Sequence, residues 1–285
     1  MSVSSSLLNS EEDNSMKESM ISKYQDRLVV LVCSCDKYVD LLKPFVSLWR
    51  KFWADCPFEM ILVTETDPNI DGFNRVIACG GGMNWASRLT KALDEIVSPY
   101  VLMLCDDYYL SAPVDTSKII ERLNQAVSLG AVNLRLIPNP MPRSNNSWPI
   151  DSGLFEYRKN TAYCIATQVG IWEREFLRSL AYGKSSIWEF ERYGSFAVGN
   201  EKRPLLVTSV KEFPFVDAVH KGYWERFGIA VCRENGVDVD FSKRRLPPFW
   251  VRLKEGVKAL VFAVSPSTFL VRVQNMFGIG AKEKK

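Results

Sequence analysis

Asp106 and Asp107 stand side by side at the end of the apolar run Tyr100-Val-Leu-Met-Leu-Cys. Two adjacent carboxylates repel each other unless a cation or hydrogen-bond donors offset them. Oxygen ligands suit Mg²⁺ or Mn²⁺, and Mg²⁺ is usually held by one or two carboxylates together with substrate phosphates. The pair therefore reads as the anchor of a metal-assisted phosphate site, with Asp107 and Asp106 as ligands. The competing reading is an ordinary turn with both charges in water.

Other candidates follow other apolar runs. Ser34 and Asp36 come just after Leu28–Cys33, and Glu65 and Asp67 just after Phe58–Thr64. Carboxylates there accept from a nucleobase N–H or a ribose hydroxyl, or else cap their own loops. Arg88, after the Gly80-Gly-Gly82 loop, can grip a phosphate or an aspartate of the metal site with two parallel bonds, or lie solvated along its helix. Trp188-Glu-Phe-Glu191 sets two acids two residues apart. On a helix Glu189 and Glu191 face different ways, so only one reaches a given site, and Glu189 completes a capping box with Ser186. On a strand they would share a face. His220, the only histidine, stands beside Lys221 and Gly222, which offer a cation and a flexible backbone.

These groups need a scaffold that collects them. Leu28–Cys33, Phe58–Thr64 and Tyr100–Leu104 are apolar without alternation, as in strands buried on both faces. Between them, Tyr38–Trp53 repeats apolar residues at three-to-four spacing, with Pro44 predicting a start or kink, and Asn84 caps a helix to about Ile96. Strands alternating with helices predict a sheet with parallel crossovers, whose ligand crevice lies beyond the strand C-termini. Further on, the pattern predicts a helix over Ile119–Leu129 and a strand over Ala131–Ile137. A loop follows over Pro138–Pro149, then strand-like character over Tyr163–Trp172 and a helix over Glu173–Tyr182. Two more strands are expected over Val207–Val210 and Phe213–Val216.

Composition sets the outer bounds. With 285 residues, 47% of them hydrophobic, the chain can build a substantial core. The formal charge of +3 and the lack of an aromatic-interleaved basic stripe in the first two hundred residues exclude a dedicated nucleic-acid binder. Seven scattered cysteines fit a reduced, cytoplasmic setting rather than a disulfide framework, and with one distant histidine they make no structural zinc site. Met1–Gln25 is polar and Ser-rich, and is expected to be a disordered tail. From Lys243 onward, ten lysines and arginines face two glutamates. Trp250, Leu253, Val257, Leu260, Val261 and Val264 fall on one helical face, too short a stretch to span a bilayer. This basic amphipathic tail over 248–285 either docks peripherally on the inner face of the cell membrane or packs on the body.

Several segments together carry a family likeness. They are Val30-Leu-Val-Cys-Ser-Cys-Asp-Lys-Tyr38, Trp85 with Arg88, Leu104-Cys-Asp-Asp-Tyr108, Gln168 with Trp172, Trp188-Glu-Phe-Glu191, and Lys221-Gly222 with Trp224. From about Leu28 to Pro247 the pattern resembles the GT-A type nucleotide-sugar glycosyltransferases, in particular the family 2-like bacterial branch that builds surface polysaccharides and O-antigens. Cys105 stands where that family's Asp-x-Asp motif has its first acid. The resemblance implies an α/β fold, a Rossmann-like mixed sheet flanked by helices, with a nucleotide-sugar-binding half over 26–115 and an acceptor half over 116–247. It also implies a nucleoside diphosphate sugar donor, a glycan or lipid-linked acceptor, and Mn²⁺ or Mg²⁺, with Glu191, or else Glu189, as general base, Lys221 as a diphosphate contact, and His220 as a further metal ligand or an incidental surface group. Two rivals are a non-catalytic glycan-binding or scaffolding relative and a sugar nucleotidyltransferase. The latter is disfavoured by Ser-Cys-Asp-Lys where a Gly-rich, basic loop is expected.

Overall fold

The computed structural model describes Tyr24, residues 26–159, 161–183 and 186–248, and Trp250. Four parallel strands form one side of the sheet: β1 (Leu28–Cys33), β2 (Met60–Thr64), β3 (Arg75–Ala78) and β4 (Tyr100–Cys105). Every residue of β1 is buried. Leu28, Val30 and Val32 enter one core layer, with Phe45 and Leu48, while Val29, Leu31 and Cys33 enter the other, with Leu89 and Leu93. Helices on both faces thus explain why the strand lacks alternation. Each such Leu or Val contributes about 1.5–3 kcal/mol by leaving water.

The first layer is covered by α1 (Leu42–Phe52) and α3 (Thr116–Ser128), and the second by α2 (Trp85–Glu95). A 3₁₀ turn over Asp36–Leu41 precedes α1 and leaves Pro44 in its first turn, where proline is tolerated. Asn84 accepts from Ser87 N and Asp115 from Lys118 N, so both helices start on side-chain caps.

Beyond β4 the sheet turns mixed. Two short strands, β5 (Tyr108–Leu110) and β6 (Asn133–Arg135), are followed by the hairpin pair β7 (Ser147–Pro149) and β8 (Leu154–Tyr157), then by β9 (Gly170–Glu173) and β10 (Leu205–Thr208). The nine-stranded order is β3-β2-β1-β4-β9-β6-β10-β8-β7. Antiparallel β9 sits between β4 and β6 and is hydrogen-bonded to both. Helices α4 (Arg174–Ala181) and α5 (Ile187–Ala197) supply Phe176, Leu177 and Phe190 to the second layer. The expected Rossmann-like mixed sheet flanked by helices is the fold observed.

Several boundaries differ from expectation. Tyr24, placed in the expected disordered tail, is 7% exposed and part of the core; the rest of Met1–Gln25 lies outside the described residues, as does all of the basic tail except Pro248 and Trp250. Of Tyr163–Trp172 only the last three residues belong to a strand, because the Tyr163 and Cys164 carbonyls are taken by the Arg135 guanidinium at 3.2 and 3.0 Å instead of by a ladder. The strand expected over Ala131–Ile137 contracts to β6. The strand expected over Val207–Val210 shifts to β10, and the one over Phe213–Val216 becomes β11 (Phe215–Asp217), antiparallel to β5. The chain then forms a hairpin, β12 (Val219–His220) and β13 (Tyr223–Trp224), and α6 (Arg226–Glu234).

Candidate active site

Register creates the core of the site. Cys33 pairs with Cys105, so the next residues of β1 and β4 emerge together, and Ser34 Oγ donates to Asp106 Oδ2 at 2.6 Å. Asp106 is 7% exposed, and burial pushes its carboxyl up to about 7, against the Ser34 hydrogen bond and the Arg244 charge, which draw it down. Asp107 is pushed well above the usual carboxylate range by burial, then by the charges of Asp106 and Asp217. Two oxygen-donor carboxylates that repel in a desolvated place are the setting a hard cation relieves, and Mg²⁺ needs no more than these from the protein when phosphates complete its shell. Among the described residues, no group of three or more His, Cys, Asp or Glu side chains could hold a metal. Cys105 adds no charge, because burial, followed by the charges of Asp107, Cys33 and Asp106, keeps its thiol protonated.

The expected nucleoside groups form an interlocked edge beside this pair. Asp36 N donates to Glu65 Oε2 at 2.9 Å, while the Asp36 carboxylate accepts from Thr66 N and Thr66 Oγ1, both at 3.0 Å. Arg88, 8% exposed, pairs with Glu65 at 2.8 Å and donates to the Met83 carbonyl at 2.7 Å. Its carboxylate partner thus lies after β2, not in the aspartate pair. Asp67 stays within its own turn, accepting from Asn69 N at 2.8 Å.

Glu189 and Glu191 lie on α5, on different faces, with Ser186 Oγ accepting from Glu189 N at 3.2 Å. Glu191 is buried, and its Oε1 accepts from Thr167 N at 2.8 Å and Thr167 Oγ1 at 2.7 Å. The Tyr108 hydroxyl donates to the Thr167 carbonyl at 3.4 Å. Glu191 thereby ties α5 to the segment that carries Gln168 and, through Tyr108, to the residue after Asp107.

Gln168 opens onto a cavity of about 830 Å³, whose walls include Asn139, Phe215, Asp217, His220 and Phe227. Asp217 joins this cavity to the acid pair: it pairs in register with Tyr108, and Ala218 N donates to the Asp107 carbonyl at 2.7 Å. Burial raises the Asp217 carboxyl, with His220 and Lys211 drawing it down. His220 therefore stands on the cavity wall. Lys221 and Gly222 are the two turn residues of the β12–β13 hairpin, both at positive φ (51° and 81°), which suits a hairpin turn of mirror-image type.

Sequence reasoning overlooked Asp217 and Arg244. Asp217 had a weak signal, an acid at the end of an expected strand, the same pattern that drew attention to Asp106. Arg244 was absorbed into the basic tail, yet its guanidinium grips Asp40 at 2.6 and 3.0 Å beside the first strand's exit.

No family model matches the chain, and no curated protein does. Among solved structures, TarS residues 1–349 from S. aureus is similar at 15% identity and a TM-score of 0.41, over 76% of this chain and 67% of that one. The same TarS fragment in complex with UDP-GlcNAc gives 14% and 0.42, over 76% and 68%. A cytidylyltransferase from Leptospira borgpetersenii gives 10% and 0.37, over 74% and 95%. The functional reading rests on the chain's own residues.

Proposed function

We propose that this chain is a glycosyltransferase that moves a sugar from a nucleoside diphosphate sugar to a hydroxyl of a glycan or lipid-linked acceptor in surface polysaccharide synthesis. The observation that carries this reading is the meeting of three strand ends on one sheet edge: Ser34 after β1, Glu65 after β2, and Asp106 with Asp107 after β4. Asp36 and Glu65 form the nucleoside side, while Asp106 and Asp107 hold a divalent cation. That cation supplies neutralisation of the charge that grows on the departing diphosphate. Lys221 and His220, on the hairpin, flank the phosphate side.

The acceptor enters through the 830 Å³ cavity. An inverting transfer needs a base on that side, because the acceptor hydroxyl must lose its proton as the new glycosidic bond forms. Asp217, on the cavity wall and next in space to Asp107, takes that role. Glu191, bound twice by Thr167, is a positioning residue that sets Gln168 against the acceptor. Cys105 in place of a first acid favours a second reading, a non-catalytic glycan-binding relative.

A panel of nucleotide sugars, assayed for transfer and donor hydrolysis with Mn²⁺ and with chelator, tests the proposal. Metal-dependent turnover lost in Asp107→Asn supports it. No transfer and no hydrolysis with any donor overturns it and leaves the non-catalytic glycan-binding reading.

A further inference from the structure

Residues 241–245 form a strap that joins the end of the described chain to its beginning. Phe241 packs edge-on against Trp224 at 5.3 Å, and Trp224 N donates to the Arg245 carbonyl at 3.0 Å, fixing the strap on β13. At its other margin, Arg244 Nε and Nη2 clasp the Asp40 carboxylate at 3.0 and 2.6 Å, and Nη2 also donates to the Lys37 carbonyl at 3.2 Å. The guanidinium lies over the Tyr38 ring, 4.5 Å from its centre. The side chain is only 8% exposed. Three contacts on separate sides thus hold a cation still, and among the described residues its Nη1 edge donates no hydrogen bond.

The place matters as much as the rigidity. Lys37 and Tyr38 follow Asp36 directly, so the guanidinium sits over the turn leaving β1, the same turn from which Ser34 holds Asp106 at 2.6 Å. A fixed guanidinium over the strand exit that holds Asp106, with an unengaged edge, matches an anion that a divalent cation also binds.

We infer that Arg244, braced by Asp40 and Tyr38, is a contact for the diphosphate of the donor, bound together with the cation at Asp106 and Asp107. This inference rests on the proposed donor reading.

Calorimetric titration of UDP, GDP, CDP and dTDP, each against its monophosphate, at fixed Mn²⁺, tests this in the full chain, Arg244→Gln and Arg244→Lys. For the diphosphate that the full chain binds, Arg244→Gln is expected to lose about tenfold or more in affinity while the monophosphate changes by about twofold or less. Arg244→Lys retains the charge without the planar fork and falls between the two; it also serves should the glutamine variant not fold. Equal losses for diphosphate and monophosphate, or no loss, overturn the Arg244 assignment alone. No diphosphate binding by the full chain overturns the donor reading itself.

Discussion

Ser34 Oγ and Asp106 Oδ2 are 2.6 Å apart although 72 residues separate them in the chain. The bond exists because β1 and β4 are in register up to Cys33 and Cys105. Ser34→Ala removes a donor to a buried acid, a bond worth about 1.5–3 kcal/mol when the partner is charged. The expected result is a lower melting temperature and weaker Mn²⁺-dependent nucleotide binding, measured by thermal shift with and without the ion. A stable variant with full ion-dependent binding would mean that Asp106 needs no such support.

Asp107 and Asp67 make a contrasting pair of carboxylates. Asp107→Asn should abolish the metal-dependent part of nucleoside diphosphate binding. Asp67→Asn perturbs only the turn in which Asp67 already accepts from Asn69, so it should change stability and binding by about 0.5 kcal/mol or less. Isothermal titration of both variants decides, and a large binding defect in Asp67→Asn would return that residue to the nucleoside site.

Asp217 and Glu191 should separate in kinetics. Asp217→Asn is expected to lower kcat by about 10²–10⁴-fold with donor affinity kept. Glu191→Ala leaves Thr167 N and Oγ1 without their carboxylate acceptor, which should lower stability by about 1–3 kcal/mol and raise the acceptor KM. The reverse pattern, chemistry lost in Glu191→Gln and intact in Asp217→Asn, makes Glu191 the base.

The thiols of buried Cys33 and half-buried Cys56 predict a direction for alkaline stability. Burial pushes Cys33 and Cys56 up to about 12 from 9.0. Their stabilising contribution is whole below pH 9, where folded and unfolded thiols alike keep their protons. It is lost as pH rises through 9 toward 12, because the unfolded chain releases those protons first. Urea midpoints should therefore fall over that window, and at pH 8 native Cys33 should label with a thiol reagent far more slowly than in denatured chain. Rapid native labelling of Cys33 contradicts the burial described.

What the sequence revealed depended on how local the cause was. Strands β1, β2 and β4 were legible because burial on both faces demands unbroken apolar residues, and the Asn84 and Ser186 caps because a cap acts within three residues. The Asp106–Asp107 pair was legible because a buried strand ended on charge. The Glu191–Thr167 clasp was not, since a glutamate's partner across 24 residues leaves no local trace. Likewise, strand character over Tyr163–Trp172 failed because Arg135, from another strand, claims the carbonyls of Tyr163 and Cys164. Arg244 was hidden by its neighbours: a run of basic residues looks solvated until one of them meets Asp40.

The position of β9 has a mechanical consequence. Hydrogen-bonded on one side to β4 and on the other to β6, it rivets the parallel strands β1–β4 and the later strands β6 and β10 into one board. Two lobes hinged at the middle of the chain would have to tear those ladders to swing apart. On the proposed reading, admission of substrates is therefore left to the rim, where the 138–146 loop joins β6 to β7.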